Sequence, residues 1–395
     1  MIHYTLRTFQ VVAILGCVSS SVYYLLCLWS ATSFLRLRNA DKDAPATQPL
    51  PPVSILKPLK GTDPDIYESF RSHCLQDYPE FEIIFGVSDP DDPAVASVHQ
   101  LQQEFPGRTI RLVVSPNKLG ANVKVSNLEQ MLPTARYEHL IVNDSDIRVE
   151  HDYLRRVLAP LASLPASDEH VGMVTCLYRG VAADTLGSRL ESLGISTDFC
   201  AGVLVARQLE GGIHFGLGST LAFRRSDLER IGGFKSIVDF LADDYELGRR
   251  IAGLGLEVRL SDVVVETHLP AYGVQDFLAH QLRWARGVRD SRAGGYLGLV
   301  TTFGLIWSLG NMIAAHAAPW SWGVLGVTVL LRLAVALVVG KSVLHDPYLL
   351  KHLWLLPVRD LVGVLVWIAS FAGHTVTWRG DRFLLKNGRL MRIDP

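Results

Sequence analysis

The sequence has few cysteines, and their arrangement neither binds zinc nor builds a disulfide framework. The five are scattered over 395 residues, odd in number and without a Cys-x-x-Cys pair. They are Cys17, Cys27, Cys74, Cys176 and Cys200. Small secreted domains place cysteines densely, and zinc sites need closely spaced pairs. The pattern therefore argues against both classes and fits a reducing compartment.

Net charge and sequence repetition are also nearly absent. Lys and Arg number 38 against 39 Asp and Glu, which gives a formal net charge of −1, and no internal repeat or low-complexity tract is visible. A chain that binds nucleic acid carries a basic excess. We therefore expect no nucleic-acid partner, and local clusters of charge matter more than the total.

Apolar residues, in contrast, are abundant, at 49% of the chain. Residues 11–29 carry no charge and are long enough for a transmembrane helix. Arg36, Arg38 and Lys42 follow this run in place of a small-residue cleavage site, which favours a retained anchor over a secretory signal. Basic residues behind a span place the next domain in the cytoplasm. We predict a membrane anchor over residues 1–40.

The next part of the chain alternates short apolar runs with helix-like segments. Residues 41–52, DKDAPATQPLPP, are rich in Pro and predict a linker. Helix-like segments such as 64–76 and 122–132 then lie between β-rich runs. These runs are VSILK (53–57), EIIFGVS (82–88), IRLVVS (110–115), HLIVND (139–144) and VGMVTCLY (171–178). The alternation predicts an α/β domain over 53–270 with a largely parallel sheet, whose ligands bind beyond the carboxyl ends of the strands.

Apolar segments near the C-terminus predict a membrane module over 296–375. The three segments are 297–318, 321–340 and 353–373. If all three cross, the basic tail 376–395 returns to the outside, although its Lys and Arg residues prefer the cytoplasm. One segment is therefore expected to be re-entrant or interfacial. We favour the third, because Arg359 and Asp360 would be costly in lipid.

Groups of aspartates follow the predicted strands at three places. SDPDDPA holds Asp89, Asp91 and Asp92, NDSD holds Asp144 and Asp146, and DFLADDYELG holds Asp243 and Asp244. If the strands share one sheet, all three groups crowd one edge, where unpaired carboxylates repel each other. Asp-x-Asp oxygens suit Mg²⁺ or Mn²⁺, which neutralise a diphosphate, and a carboxylate held apart from the cation can act as a general base. An Asx-type turn is the alternative at each place.

A basic, aromatic stretch, HQLRWARGVRD, occupies residues 280–290 within a predicted interfacial helix over 271–295. Its arginines could face a phosphate, and Trp284 is typical of a membrane surface. The arginines are Arg283, Arg286 and Arg289. A helix that only touches lipid headgroups explains the same spacing.

The order of these motifs resembles the membrane glycosyltransferases of the GT-A fold, and more narrowly the ceramide glucosyltransferase family (glycosyltransferase family 21). The stretches that carry the resemblance are VSILKPLKG, SDPDDPA, NDSDIRV, DFLADDYELG and WRGDRF. Bacterial hopanoid-pathway glycosyltransferases belong to the same neighbourhood, and FRSHCLQDYPEFEIIFGVSD is at least as similar to those. The resemblance covers nearly the whole chain. It implies a Rossmann-like, mostly parallel α/β domain in the cytoplasm, with N-terminal and C-terminal transmembrane helices.

The resemblance also implies roles for the aspartates. Asp144 and Asp146 would bind a divalent cation, Mg²⁺ or Mn²⁺, together with the diphosphate of a UDP-sugar. Asp244 would be the base, and Asp243 is the next candidate for that role. This division gives each carboxylate a separate task.

Further residues would contact the donor. The donor contacts that the resemblance implies are Lys57, Asp92, Asp144, Arg283 and Trp284. Arg283 and Trp284 would form the Arg-Trp of a Gln/Arg-x-x-Arg-Trp motif. The first position of that motif is His280 here, and Gln281 is displaced from it by one residue.

Three other features allow two interpretations each. His268 could be a late metal ligand or a structural histidine. Residues 218–220, Gly-Ser-Thr, could approach the sugar or acceptor closely, or serve turn geometry alone. Residues 194–207 are too short to span and could border the acceptor or form a buried core helix.

Together these features predict an inverting, cation-dependent transferase in a bacterial inner membrane or a Golgi-type membrane. It would move a hexose from a UDP-sugar to the hydroxyl of a membrane lipid, most like glucose to ceramide. N-acetylglucosamine transfer to bacteriohopanetetrol is the alternative. A processive polysaccharide synthase shares the acidic and Arg-Trp motifs but needs a translocation channel, and a non-catalytic membrane binding protein would not need every carboxylate. The sequence leaves the sugar and the acceptor lipid open.

Overall fold

The computed structural model describes residues 2–42, 50–162, 170–378 and 380–393. Most of the predicted linker 41–52 lies outside this part of the chain. The chain divides into two compact units, each assembled from three stretches. The helical unit comprises Met1–Asp43, Asp184–Leu209 and Tyr272–Val376, and the sheet unit comprises Ala44–Ala183, Glu210–Ala271 and Thr377–Pro395.

This division differs from the contiguous domain predicted over 53–270. Residues 184–209 leave the sheet unit for the helical unit, and the tail after residue 376 belongs to the sheet unit. Residues 184–209 include the stretch 194–207, for which the sequence allowed two interpretations, and this stretch is helical. The order of motifs in the sequence could not show to which unit these two segments belong, because that depends on contacts between distant parts of the chain.

The described part of the chain contains fifteen α-helices. They are α1 (Ile2–Lys42), α2 (Ile66–Cys74), α3 (Ala94–Glu104), α4 (Val123–Met131), α5 (Tyr153–Ala162), α6 (Leu186–Gly194), α7 (Cys200–Leu209), α8 (Arg225–Arg230), α9 (Asp243–Ala252), α10 (Val274–Ser291), α11 (Ala293–Gly298), α12 (Gly304–Ala314), α13 (Pro319–Leu337), α14 (Leu349–His352) and α15 (Leu356–Ser370). Short 3₁₀ turns occupy Leu132–Thr134, Phe234–Ile237, Leu299–Thr302 and Leu353–Leu355, and π turns occupy Ile195–Phe199 and Val338–Val343.

Eight strands form the main sheet. They are β1 (Val53–Pro58), β2 (Phe81–Val87), β3 (Thr109–Val114), β4 (His139–Val142), β5 (Ile147–Arg148), β6 (Val171–Val181), β7 (Leu221–Arg224) and β8 (Glu257–His268). Their order is β3-β2-β1-β4-β7-β6-β8-β5. The four strands β3, β2, β1 and β4 are parallel to one another, as are β6 and β8. Strand β7 is antiparallel to both of its neighbours, β4 and β6. The predicted mostly parallel α/β sheet is confirmed.

The central strands are apolar because both of their faces are covered. Every residue of β1 and β2 is buried, and Ile55 lies between Ile83 and Ile141 in register. Parallel strands covered on both faces read as continuous apolar runs rather than as an alternation. The carboxyl ends of β1, β2 and β4 therefore lie along one edge of the sheet, which places the aspartates after β2 and β4 on that edge.

The predicted basic tail forms a small three-stranded sheet. Its strands are β9 (Thr375–Trp378), β10 (Asp381–Lys386) and β11 (Arg389–Arg392), in the order β11-β10-β9. Phe383, Leu385 and Leu390 are buried, while Leu384 and Met391 between them are exposed. This alternation is that of a half-buried strand pair.

In the helical unit, three helices are long and apolar enough to cross a membrane. They lie at Leu6–Arg38, Pro319–Val343 and Leu349–Ser370, and a fourth candidate is the pair Ala293–Thr302 and Gly304–Ala314, bent by 49°. Helix α12 packs closely against α1, since a Cβ on Gly16 would lie 2.3 Å from the ring of Trp307. A Cβ on Gly304 would similarly lie 2.9 Å from Thr328 of α13.

Arg332 lies at the centre of a set of ion pairs in the helical unit. Arg332 is 6% exposed and binds Asp360 at 2.7 Å and Asp198 at 2.5 Å. Arg359 contacts Asp198 at 3.1 Å. Pairing offsets much of the cost of burying an ion, whereas a lone partner would be strongly destabilising. Arg359 and Asp360, the charged residues of the third apolar segment, thus have a structural role.

Two arginines predicted to face a phosphate bind main-chain carbonyls at and just after the end of α15. The carbonyls are those of Ala372 and Thr375 for Arg286, and those of Ser370 and Gly373 for Arg289. Only Ser370 belongs to α15; the other carbonyls follow it, and Thr375 is the first residue of the strand Thr375–Trp378. These contacts give both arginines a role in main-chain packing, and a contact with a phosphate stays a prediction.

Helix α15 runs beside the charged helix α10. Phe277, near the start of α10, shares an apolar cluster with Leu356, and Arg289, near its end, binds the carbonyl of Ser370. Helix α10 begins two residues after the sheet unit and is too charged to enter lipid. We therefore expect α15 to lie along the membrane surface with α10, as the third apolar segment was predicted to do.

The number of crossings can be tested by labelling single cysteines from one side of a sealed membrane. The tail belongs to the sheet unit, so the chain must cross an even number of times between residues 272 and 376. We expect cysteines at Gln103, Tyr348 and Met391 to react from one side and a cysteine at Ala317, in the turn between α12 and α13, from the other. The native cysteines are buried, which keeps the background low. Labelling of Met391→Cys together with Ala317→Cys would contradict this topology.

Candidate active site

The acidic residues of the second and third groups meet at one edge of the sheet. Asp144 and Asp146 follow β4 directly, and Asp243 and Asp244 are the first two residues of α9. The backbone N–H of Gly216 donates to the carbonyl of Asp244 at 3.2 Å, which ties the start of α9 to the loop before β7. The sheet thus brings together carboxylates that lie a hundred residues apart in the sequence.

A lysine lies between the two groups. Lys124 Nζ is 2.7 Å from Asp144 Oδ1 and 3.0 Å from Asp243 Oδ2. Burial lowers the pKa of Lys124, but the nearby carboxylates outweigh it and raise that pKa above its ordinary value. The Asn122 side chain donates to the other oxygen of Asp243 at 3.3 Å. Asp243 is therefore committed to an ion pair and a hydrogen bond.

Asp244 has main-chain partners instead of a cation. Its Oδ2 accepts from the N–H of Gly218 at 2.8 Å, and its Oδ1 accepts from its neighbour Tyr245 at 2.8 Å. Burial and the charge of Asp243 raise the pKa of Asp244 to about 6, against the opposing effect of Lys124. A carboxylate with a raised pKa is ionised at neutral pH and is a stronger base than a free aspartate.

Asp146 lies in a different environment from Asp144. Its carboxylate accepts from the hydroxyl of Thr267, and its carbonyl accepts from the N–H of His268 at 3.4 Å. Burial and repulsion from Asp144 raise the pKa of Asp146 to about 6. The side chain of Asp144 is the more open of the two, at 41% exposed. The pair therefore joins one exposed and one enclosed carboxylate.

Lys57 is hydrogen-bonded to the loop that holds Asp144 and Asp146. It is completely buried, and its Nζ donates to the carbonyl of Asp144 at 3.0 Å. Burial lowers the pKa of Lys57 to about 7, although the nearby Asp146, Asp144 and Asp63 act in the opposite direction. The donor contact that the resemblance implies for Lys57 stays a prediction.

Gly218 lies close to two carboxylates of this edge. A Cβ on this residue would lie 2.9 Å from Asp144 Oδ2 and 3.3 Å from Asp244 Oδ2. Any larger residue would therefore displace at least one of these oxygens. An approach of residues 218–220 to the sugar or acceptor stays a prediction.

Asp92 joins two loops at the same edge. Both of its oxygens accept from the N–H of Gly61, at 3.1 and 2.9 Å, and one also accepts from Ala94 at the start of α3. The loop after β1 is thereby held to the loop after β2. A donor contact by Asp92 stays a prediction.

His268 lies close to this edge with acidic partners. Its Nδ1 is 3.0 Å from Asp65 Oδ2, and its Nε2 is 3.7 Å from Glu266. The nearby Glu266 raises the pKa of His268, and Asp65 adds to this effect against burial. Both ring nitrogens thus lie near carboxylates, which the structural interpretation explains, and a role as metal ligand stays a prediction.

The Arg-Trp residues belong to the helical unit. His280, at the leading position of the motif, is 3.1 Å from Glu191, which is 2% exposed. The rings of Tyr272 and Trp284 pack against His280. The donor roles of Arg283 and Trp284, and any role of Gln281, stay predictions.

The carboxylates suit a divalent cation only together with a substrate. Among the described residues, no group of three or more His, Cys, Asp or Glu side chains is arranged to hold an ion. Mg²⁺ and Mn²⁺ are commonly held by one or two carboxylates plus phosphate oxygens and water. Asp144 and Asp146 provide such a partial set of ligands, and a diphosphate would supply the rest.

Sequence reasoning missed Lys124 and its neighbour Asn122. A signal was present, since Lys124 lies in the first turn of α4. The helix dipole disfavours a positive charge at that end. A lone lysine there indicates an acidic partner elsewhere in the fold, although the sequence does not say which one.

The fold and the paired carboxylates together define a glycosyltransferase of the GT-A class. The mannosyltransferase PcManGT from Pyrobaculum calidifontis, solved in complex with GDP-Man and Mn²⁺, has a similar structure, with a TM-score of 0.51 over 90% of this chain and 99% of that chain. At 21% identity this likeness shows the fold alone.

The chain belongs to glycosyl transferase family 21, whose sequence model matches residues 12–391. Two curated relatives from Caenorhabditis elegans are similar over most of its length. Ceramide glucosyltransferase 1 is 24% identical over 97% of this chain and 82% of that protein. Ceramide glucosyltransferase 3 is 25% identical over 95% of this chain and 82% of that protein. The predicted family and enzyme class are confirmed.

The close approach at Gly218 can be tested by adding one methyl group. We expect Gly218→Ala to reduce sugar transfer by about 10-fold or more, because its Cβ would displace one of the two carboxylates by several tenths of an ångström. Gly107→Ala is the matched control, since nothing lies within 4 Å of its added Cβ. Steady-state rates and the midpoint of thermal unfolding should be measured for both. Unchanged transfer by Gly218→Ala would show that neither carboxylate position matters.

Proposed function

We propose that the protein transfers glucose from UDP-glucose to the primary hydroxyl of ceramide, with inversion at the anomeric carbon. The observation that carries the proposal is the approach of Asp144 and Asp244 to one point at Gly218, where an added Cβ would lie 2.9 Å from an oxygen of Asp144 and 3.3 Å from an oxygen of Asp244. The family assignment and the two similar ceramide glucosyltransferases support this choice of sugar and lipid.

The donor side of the site is the pair Asp144 and Asp146. We propose that these two carboxylates hold Mg²⁺ or Mn²⁺, which when bound would neutralise charge on the diphosphate of the donor. Lys124 balances the charge of Asp144 at 2.7 Å, and Lys57 fixes the loop from below. The loop is therefore ordered before a donor binds, which lowers the entropic cost of positioning the donor.

The acceptor side is Asp244. Its hydrogen bonds to two main-chain N–H groups hold the carboxylate in place. Its raised pKa makes the ionised carboxylate a stronger base than that of a free aspartate. Asp244 removes the proton of the lipid hydroxyl as that oxygen forms its bond to the anomeric carbon. The bond from that carbon to the diphosphate oxygen breaks, and UDP leaves with the electron pair. Asp243 is the weaker candidate, because Lys124 and Asn122 occupy its carboxylate.

A lipid acceptor fits the helical unit, whose candidate spans would place the enzyme in its substrate's membrane. We propose that the sheet unit lies in the cytoplasm, because Arg36, Arg38 and Lys42 follow the first span. UDP-sugars are made in that compartment, so donor and acceptor would meet at the membrane surface.

The function can be tested with the full-length protein in mixed micelles that contain ceramide. We expect UDP release and a hexosylceramide in the lipid mass spectrum, with UDP-glucose preferred over UDP-N-acetylglucosamine and UDP-galactose. A sugar on bacteriohopanetetrol instead would establish the hopanoid alternative, and a ladder of products would indicate a polysaccharide synthase. No UDP release with any lipid extract would contradict an enzymatic role.

The roles of Asp244 and Asp146 should separate by mutation. We expect Asp244→Asn to lower turnover by about 10²-fold or more, the usual loss for a general base, with UDP affinity little changed. Asp146→Asn should instead weaken UDP binding and raise the Mn²⁺ concentration required, and excess chelator should stop the wild-type enzyme. Rates and calorimetric titrations of UDP with Mn²⁺ distinguish the two variants. Equal loss of UDP binding in both would move the base to Asp243.

A further inference from the structure

The C-terminal tail is built as a hairpin rather than as a loose basic segment. Asn387 and Gly388 both have positive φ, 51° and 76°, and the flanking Lys386 and Arg389 are paired in register. Positive φ at both central residues is the geometry of a two-residue type I′ turn, for which Asn-Gly is the preferred sequence. The hairpin of β10 and β11 is therefore specified locally.

The hairpin bonds through its main chain to the segment that precedes α9. The N–H of Leu241 donates to the carbonyl of Gly388 at 3.0 Å, and the N–H of Leu390 donates to the carbonyl of Asp239 at 2.7 Å. Phe240 and Arg389 form the antiparallel pair between these bonds. Residues 239–241 thus extend the edge of the hairpin by one short strand.

Side chains strengthen the same contact. The ring of Phe240 is 8% exposed and lies between two guanidinium groups, with Arg389 5.1 Å and Arg250 5.5 Å from its centre. Both arginines are within the range of a cation–π interaction. Arg250 also binds Glu246 at 3.2 Å, which connects the arrangement to the first turns of α9.

The segment 239–241 is also tied to the carboxylate site. The Asn122 amide that contacts Asp243 donates to the carbonyl of Phe240 at 2.8 Å. Helix α9 has no side-chain cap of its own, because Ala242 occupies the N-cap position. Such a cap ordinarily fixes where a helix begins. The position of Asp243 and Asp244 therefore depends on the segment that the hairpin holds.

We propose that the tail hairpin positions the catalytic carboxylates, with Arg389 acting through Phe240 as a positioning residue. This rests on the proposed function of Asp244 as the base. The hairpin itself touches no reacting group. Its effect is on the rate of the chemical step, through the placement of Asp244, and not on donor affinity.

The test compares three variants of the full-length protein in detergent. Arg389→Met removes the cation over Phe240, and Arg389→Lys retains one. Arg392→Met removes an arginine of the same hairpin that pairs with Asp381 at 3.5 Å. We expect Arg389→Met to lower kcat about two- to five-fold, the range for a lost cation–π contact at an exposed site, with donor KM unchanged. Arg389→Lys should recover most of the loss, and Arg392→Met should equal wild type.

Amide hydrogen exchange gives a second measurement that does not require activity. The amides of Tyr245 and Glu246, in the first turn of α9, should exchange about two- to five-fold faster in Arg389→Met than in Arg392→Met. Equal exchange and equal kcat in these two variants would overturn the proposal. Absence of transfer by the wild type would refute the proposed function instead, and the exchange comparison would still decide whether the hairpin positions α9.

Discussion

The site depends on the compensation of negative charge by two enclosed lysines. Four aspartates converge on one edge of the sheet, and without cations their repulsion would push the start of α9 away from the end of β4. Lys124 holds these elements together with contacts of 2.7 and 3.0 Å. Lys57 fixes the loop of Asp144 from below. The negative charge that the two lysines leave uncompensated would be offset by the cation that we propose to bind with the diphosphate.

The same rule holds in the helical unit, whose apolar helices are long enough to span a membrane. Arg332 joins Asp198 and Asp360 in a buried set of ion pairs. Arg289 binds the carbonyl of Ser370 at the end of α15, and Arg286 binds that of Thr375 in β9. Polar groups without water must find partners inside the protein. Charges that looked functional in the sequence therefore serve the packing of these helices.

Differences in environment give similar side chains different tasks. Asp243 and Asp244 are adjacent, but the first is bound by Lys124 and Asn122 and the second by main-chain N–H groups. One is thereby fixed as a structural anion, while the other keeps a raised pKa that suits proton transfer. Asp144 and Asp244 both approach Gly218, so the groups proposed for donor and acceptor meet at a single residue.

The sequence by itself determined five of the strands, the long apolar first helix and the positions of the aspartates, because apolar runs and strand ends are local properties. The Asn387-Gly388 turn is of the same kind. Only the tertiary structure decided that Lys124 meets Asp144 and Asp243, that Lys57 lies under a loop, and that the tail joins residues 239–241. These contacts join residues from 20 to about 150 positions apart. A local pattern shows that a lysine or a strand edge needs a partner, but which distant segment supplies it is decided by how the whole sheet closes.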